Sequence, residues 1–73
     1  MLKDKIFKTL HNHFQAHVDK HVMNIQIMLE NPQAIPEHTD FLDSIEKELE
    51  AIAEYQDKIE ALTEVELSMS VRV

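Results

Sequence analysis

The stretch HNHFQAHVDKH, residues 11–21, concentrates His11, His13, His17 and His21 in a chain that has no cysteine. His13, His17 and His21 follow one another at i, i+4 and i+8, so on a helix they form one ladder. Two imidazoles at i, i+4 are near enough to chelate Zn²⁺, Ni²⁺ or Cu²⁺. Protease chemistry of the H-E-x-x-H kind is excluded, because Val18 stands where the glutamate base belongs. Imidazole also suits a helix flank, where its ring packs on apolar neighbours and one nitrogen bonds a carboxylate across the seam. The second half of the chain supplies such carboxylates in excess, and flank packing with cross-helix hydrogen bonds is the expectation. A pH-responsive contact and a metal site remain as alternatives.

Other chemistry is thinner. Ser44, Ser68 and Ser70 have no His–Asp arrangement that spacing predicts, and no thiol is present as nucleophile. Acidic pairs on a solvated helix are ordinarily surface. No catalytic residue, cofactor site or metal site is assigned, and the chain reads as a non-enzyme without a small-molecule substrate.

At 73 residues the chain has room for one small domain. Such a chain buries only about 60% of its unfolded surface, and small scaffolds therefore lean on disulfides, a metal or a partner. Without cysteine, a metal or a partner is left. No stretch nears the roughly 20 apolar residues of a membrane span. No apolar run follows MLKDKIFK, so no secretory leader is expected and synthesis in the cytosol is. The formal charge is −7, and residues 37–66 hold eleven acids against Lys47 and Lys58. That half repels nucleic acid, and the basic patch a binder needs is missing.

There is no glycine, which excludes Gly-rich phosphate loops, and the wealth of Glu, Lys, Leu, Ala and Gln favours helix. Leu2, Ile6, Leu10, Phe14, Val18, Val22, Ile25 and Leu29, joined by Phe7 and Met28, make one stripe and predict a helix over 2–30. Asn31-Pro32 ends it, since proline disfavours helical geometry in the residue before. Residues 31–39 form a linker in which Ile35 is expected to plug the open end of the core, and Thr39 or Asp40 can cap the next helix. Leu42, Ile45, Leu49, Ile52, Ile59 and Leu62, with Phe41, Ala53 and Tyr55 beside them, predict a second helix over about 40–63. Gln56 interrupts this stripe. Asp43–Lys47 and Glu54–Lys58 are favourable i,i+4 pairs. Two such helices and a short linker make an antiparallel hairpin, residues 1–63.

Residues 64–73, EVELSMSVRV, change period: Val65, Leu67, Met69, Val71 and Val73 alternate with polar residues. Strict alternation predicts a strand-like tail. With no second strand in the chain, its ladder would be completed by a partner chain; a frayed terminus is the alternative. The fold expected is thus all-α, an antiparallel two-helix hairpin with a C-terminal tail that pairs outside its own chain. Ala16, Met23 and Ile27, with Lys20 among them, lie opposite the main stripe of the first helix and leave it apolar nearly all round. They and the five tail residues are the candidate partner-binding positions.

Asn31, Pro32, Ile35, Glu37, His38 and Asp40, followed by IEKELEAIAEYQDKIEAL, resemble a group of small tailed-bacteriophage proteins over roughly residues 1–62. Those linkers carry glycines and a proline where Gln33, Ala34, Pro36 and Thr39 stand here, and the alternating tail is outside the resemblance. The group has no established active residues to carry over. The resemblance implies a phage origin. Joined to the tail, it gives the expectation of a minor virion component, a capsid decoration or cement protein. It would dock on a larger assembly, associate with itself, or do both. The alternative is a soluble acidic module, a hairpin dimerising into a four-helix bundle that binds a host or phage protein.

Overall fold

The computed structural model describes residues 1–31 and 39–70, of residue 39 the backbone alone. Two helices make up the described chain: α1, Leu2–Glu30, and α2, Thr39–Ser70. They pack against each other along their length as an antiparallel hairpin. The end of α1 falls where Asn31-Pro32 requires. Asn31 closes the last turn twice, its backbone N–H and its Nδ2 both donating to the Ile27 carbonyl at 3.0 and 3.3 Å. Ile35, the remaining linker positions of the phage resemblance (Pro32, Glu37 and His38), and the capping side chain of Thr39 lie outside the described residues.

The seam between the helices keeps a regular register. Its centre line on α1 is Phe7, His11, Phe14, Val18, His21, Ile25 and Met28, and on α2 Phe41, Ile45, Glu48, Ile52, Tyr55, Ile59, Leu62 and Glu66, all buried or half-buried; His17, Asn24, Ser44, Ala51 and Thr63, also half-buried, flank it. Both series advance by alternating fours and threes, the seven-residue repeat of helices that wind around each other with a left-handed twist. This corrects in part the stripe expected from spacing, of which Phe7, Phe14, Val18, Ile25 and Met28 do lie in the seam of α1. Leu2, Ile6, Leu10, Val22 and Leu29 on α1 face solvent, as do Leu42 (73% exposed) and Leu49 (52%) on α2. Leu10, Val22 and Leu49 each sit one position off a seam that takes His11, His21 and Glu48 instead, and Ile6, Leu29 and Leu42 sit beside Phe7, Met28 and Phe41.

The strand-like tail is also corrected: residues 64–70 continue α2 as helix. Extended, they would leave a row of unpaired N–H and C=O groups; as helix they satisfy those groups within the segment. No proline or glycine interrupts the run, and Glu, Leu and Met are good helix formers. Ser68 and Ser70, the polar half of the alternation, turn their hydroxyls back onto the Val65 and Glu66 carbonyls at 2.7 and 3.0 Å. Val71 and Val73 lie outside the described residues.

A two-helix hairpin has one seam and therefore little interior. Val18, 6% exposed, is the one buried hydrophobic residue among those described. The molecule is a rod of 56 × 18 × 12 Å with a radius of gyration of 16.8 Å, whereas a compact chain of this length would have about 11 Å. No described helix is long and apolar enough to cross a membrane.

Candidate functional site

The polar residues of the seam form two stations, one on each side of Val18. At the first, Glu48 occupies a seam position of α2. His21 Nδ1 lies 2.5 Å from its Oε2, and Asn24 Nδ2 donates to both carboxylate oxygens at 3.1 and 3.3 Å. A carboxylate only accepts, so Nδ1 of His21 carries the proton in this contact. Both side chains of the pair are 17% exposed. The bond from His21 holds the Glu48 carboxyl below its ordinary pKa of 4.5; partial desolvation opposes it, and Asn24 adds to it. One half-buried anion is thereby held by two donors from the facing helix.

At the second station His11 Nε2 lies 3.3 Å from the Thr63 hydroxyl. That hydroxyl donates its hydrogen to the Ile59 carbonyl at 2.9 Å, so its oxygen accepts from His11 and Nε2 is the donor. Between the stations the rings stack. His17 lies on Tyr55 with centroids 4.4 Å apart and planes at 4°, and His13 meets His17 edge to face at 4.7 Å. Lys58 Nζ sits 4.7 Å from the Tyr55 centroid and pairs with Glu54 at 3.4 Å, the i,i+4 contact expected from spacing. Partial burial pushes the His17 imidazole below its ordinary pKa of 6.5, and His13, Lys20, His21 and Lys58 act in the same direction.

The histidines thus split into roles. His11 and His21 belong to the seam itself, His17 is half-buried on its edge, and His13 faces solvent. The cross-helix His–Glu contact expected from residue types is made once among the described residues, by His21 and Glu48. Glu48, Asn24 and Thr63 escaped the sequence reading, although Glu48 lies seven residues after Phe41 and before Tyr55, on the same repeat. Among the described residues no group of three or more His, Asp or Glu side chains is placed to hold a metal ion. These contacts orient and pin the two helices.

The partner-binding candidates are not brought to one place. Ala16, Met23 and Ile27 are exposed along α1. Open depressions lie on the same side, one lined by Leu2, Lys5, Ile6, Thr9 and Leu10 and one by His13, Ala16, His17 and Lys20. Val65, Leu67 and Met69 are exposed on the last turns of α2; at 100° per residue Val65 and Met69 share one side and Leu67 lies on the opposite one. A separate acidic surface on the first turns of α2 is lined by Asp40, Asp43, Ser44, Glu46, Lys47 and Glu50. The chain matches no family model, no curated protein and no solved structure.

Proposed function

We propose that this chain is a non-enzymatic interaction protein, a helical hairpin that completes its core on other protein surfaces. The observation that carries this reading is the ratio of interior to open apolar surface. Val18 alone is buried among the described hydrophobics, while Leu2, Met23, Ile27, Leu29, Leu42, Leu49, Val65 and Leu67 stand exposed on both helices. Exposed apolar surface of this extent marks association, and a hairpin with one seam cannot cover it unaided. Docking by a C-terminal strand is not part of this reading, since residues 64–70 are helical. Helix faces laid against a partner take its place.

The larger partner we infer is a phage particle, and that identification rests on the linker resemblance alone. Mass spectrometry of purified particles tests it. A fixed copy number of this chain per particle is the expected result, and confinement of the chain to the soluble fraction overturns it. The acidic surface over Asp40, Asp43, Glu46 and Glu50 favours the second reading, a soluble module that binds a basic site on another protein. There, charge reversal at Asp43 and Glu46 abolishes binding, whereas particle docking through Leu42 and Leu49 survives it.

A further inference from the structure

On α1, the side turned away from the seam repeats by the same fours and threes as the seam does. Leu2, Ile6, Thr9, His13, Ala16, Lys20, Met23 and Ile27 make a second stripe, and every one of them is exposed. The stripe has a symmetry of its own. Read backwards about a point between residues 14 and 15, Leu2 falls on Ile27, Ile6 on Met23, Thr9 on Lys20 and His13 on Ala16. Large apolar side chains meet large apolar ones toward both ends. In a pair reversed in this way the small Ala16 would face the ring of His13 at the centre, where crossing helices approach closest, and the aliphatic stem of Lys20 would cover Thr9. A two-fold contact needs one patch that complements itself when reversed.

We propose that this stripe is the interface with a second copy of the chain, two α1 helices packing antiparallel about a two-fold axis at residues 14 and 15. Charge selects the direction. One end of the rod carries Lys3, Lys5 and Lys8 of α1 against Asp4 and, from the last turns of α2, Glu64 and Glu66, a balanced set, whereas the other end carries Asp40, Asp43, Glu46, Glu48 and Glu50 of α2 and Glu30 of α1 against Lys47. An antiparallel pair sets each lysine-bearing end beside the partner's acidic end. A parallel pair would bring the two acidic ends together, which like-charge repulsion disfavours.

The area agrees. The chain exposes 5861 Å², whereas a compact monomer of its 8.5 kDa would expose about 4,700 Å². The excess, on the order of 1,200 Å², covers the ~800 Å² per partner of a standard interface. It leaves Leu42 and Leu49 on α2 open for a different protein, so the dimer goes beyond the particle reading and stands without it.

Sedimentation equilibrium of the full chain, from micromolar to millimolar concentration, is expected to fit a monomer–dimer equilibrium ending at twice 8.5 kDa; a monomer throughout, or a trimer or larger species, overturns the proposal. Met23→Glu places a charge in the stripe and is expected to raise the dissociation constant about a hundredfold or more, with helicity by circular dichroism retained. Leu49→Glu, on the other helix, leaves it unchanged. An unaltered Met23→Glu dimer overturns the proposal. Because the chain has no native cysteine, direction is read separately from two near-native chains, Ile6→Cys and Met23→Cys, mixed and oxidised. The 6–23 heterodisulfide is expected to dominate, and a product of 6–6 and 23–23 homodisulfides overturns the antiparallel arrangement.

Discussion

His17 of α1 and Tyr55 of α2 lie flat on each other across the edge of the seam, ring centroids 4.4 Å apart and planes 4° from parallel. Tyr55 also lies near-parallel to the His21 ring, with centroids 6.2 Å apart and planes at 18°, so the histidine ladder meets the facing helix here through ring faces. Offset aromatic pairs contribute about 0.5–1.5 kcal/mol beyond the area they bury. A double-mutant cycle with His17→Ala and Tyr55→Leu is expected to return a coupling of that order in urea unfolding. A coupling indistinguishable from zero would remove the stack from the account of stability.

Acid weakens the fold through the same histidine. The His17 pKa lies below its ordinary 6.5 in the folded chain, by partial burial and by the nearby cations. The unfolded chain therefore binds the proton more readily. Stability rises with pH between the folded value and 6.5, and is lost as pH falls through that window. Unfolding midpoints at pH 8 and pH 5.5 are expected to differ for the wild type and to differ less for His17→Gln.

Glu48 acts lower on the pH scale, with the same sign. Its carboxyl is held below 4.5 chiefly by His21, so its contribution is present above that pH and fades as pH drops toward the folded value. At neutral pH, Glu48→Ala leaves the His21 and Asn24 donors half-buried without an acceptor, at a cost of about 1–3 kcal/mol. Replacing the whole contact, Glu48→Leu together with His21→Leu and Asn24→Ala, removes the acceptor and its donors at once and is expected to be neutral or stabilising, since well-packed apolar groups often replace a complete polar contact without loss. Thermal melts of Glu48→Ala and of the triple variant run in opposite directions if the contact specifies pairing more than it stabilises. A melting point for the triple variant as low as for Glu48→Ala would refute that assignment.

Val18→Ala removes two methyl groups at the most enclosed position and is expected to cost about 1.5 kcal/mol, with a fall in Tm of several degrees. Leu42→Ala, at an open position on α2, is expected to stay within about 0.5 kcal/mol of the wild type when the chain is alone. Equal losses at the two sites would show that Leu42 is covered in solution.

The last turns of α2 give a fifth expectation. Residues 64–70 should show helical Cα chemical shifts throughout, and Leu67→Pro should remove about one turn of helical ellipticity with little effect on Tm. Strand-like shifts over 64–70 would reverse the correction made above.

The hairpin, the end of α1 at Asn31-Pro32 and the surplus apolar side of α1 are all legible in the residues. Each depends on local rules: a stop signal, a period and the length of a linker. Seam membership is not local. α1 carries two stripes of similar apolar content, and only the one in step with α2 is covered, so Leu10 and Leu49 read as core yet face solvent while His11 and Glu48 lie within. Choosing between the stripes requires knowing that His21 meets Glu48 and that His11 meets Thr63, contacts separated by 27 and 52 residues. The tail misleads for the converse reason. Its alternation is a true pattern over ten residues, but a preceding helix with no stop signal runs on through residues 64–70, and there backbone hydrogen bonding outweighs side-chain periodicity.

The 56 × 18 × 12 Å outline has a hydrodynamic consequence. An elongated particle drags through solvent like a larger sphere, so one such hairpin leaves a sizing column ahead of compact proteins of equal weight. Two copies laid side by side in opposite directions widen the rod more than they lengthen it. Doubling the mass therefore shifts elution less than doubling a sphere does, and scattering or sedimentation, which weigh the particle itself, separate the two species where elution volume blurs them.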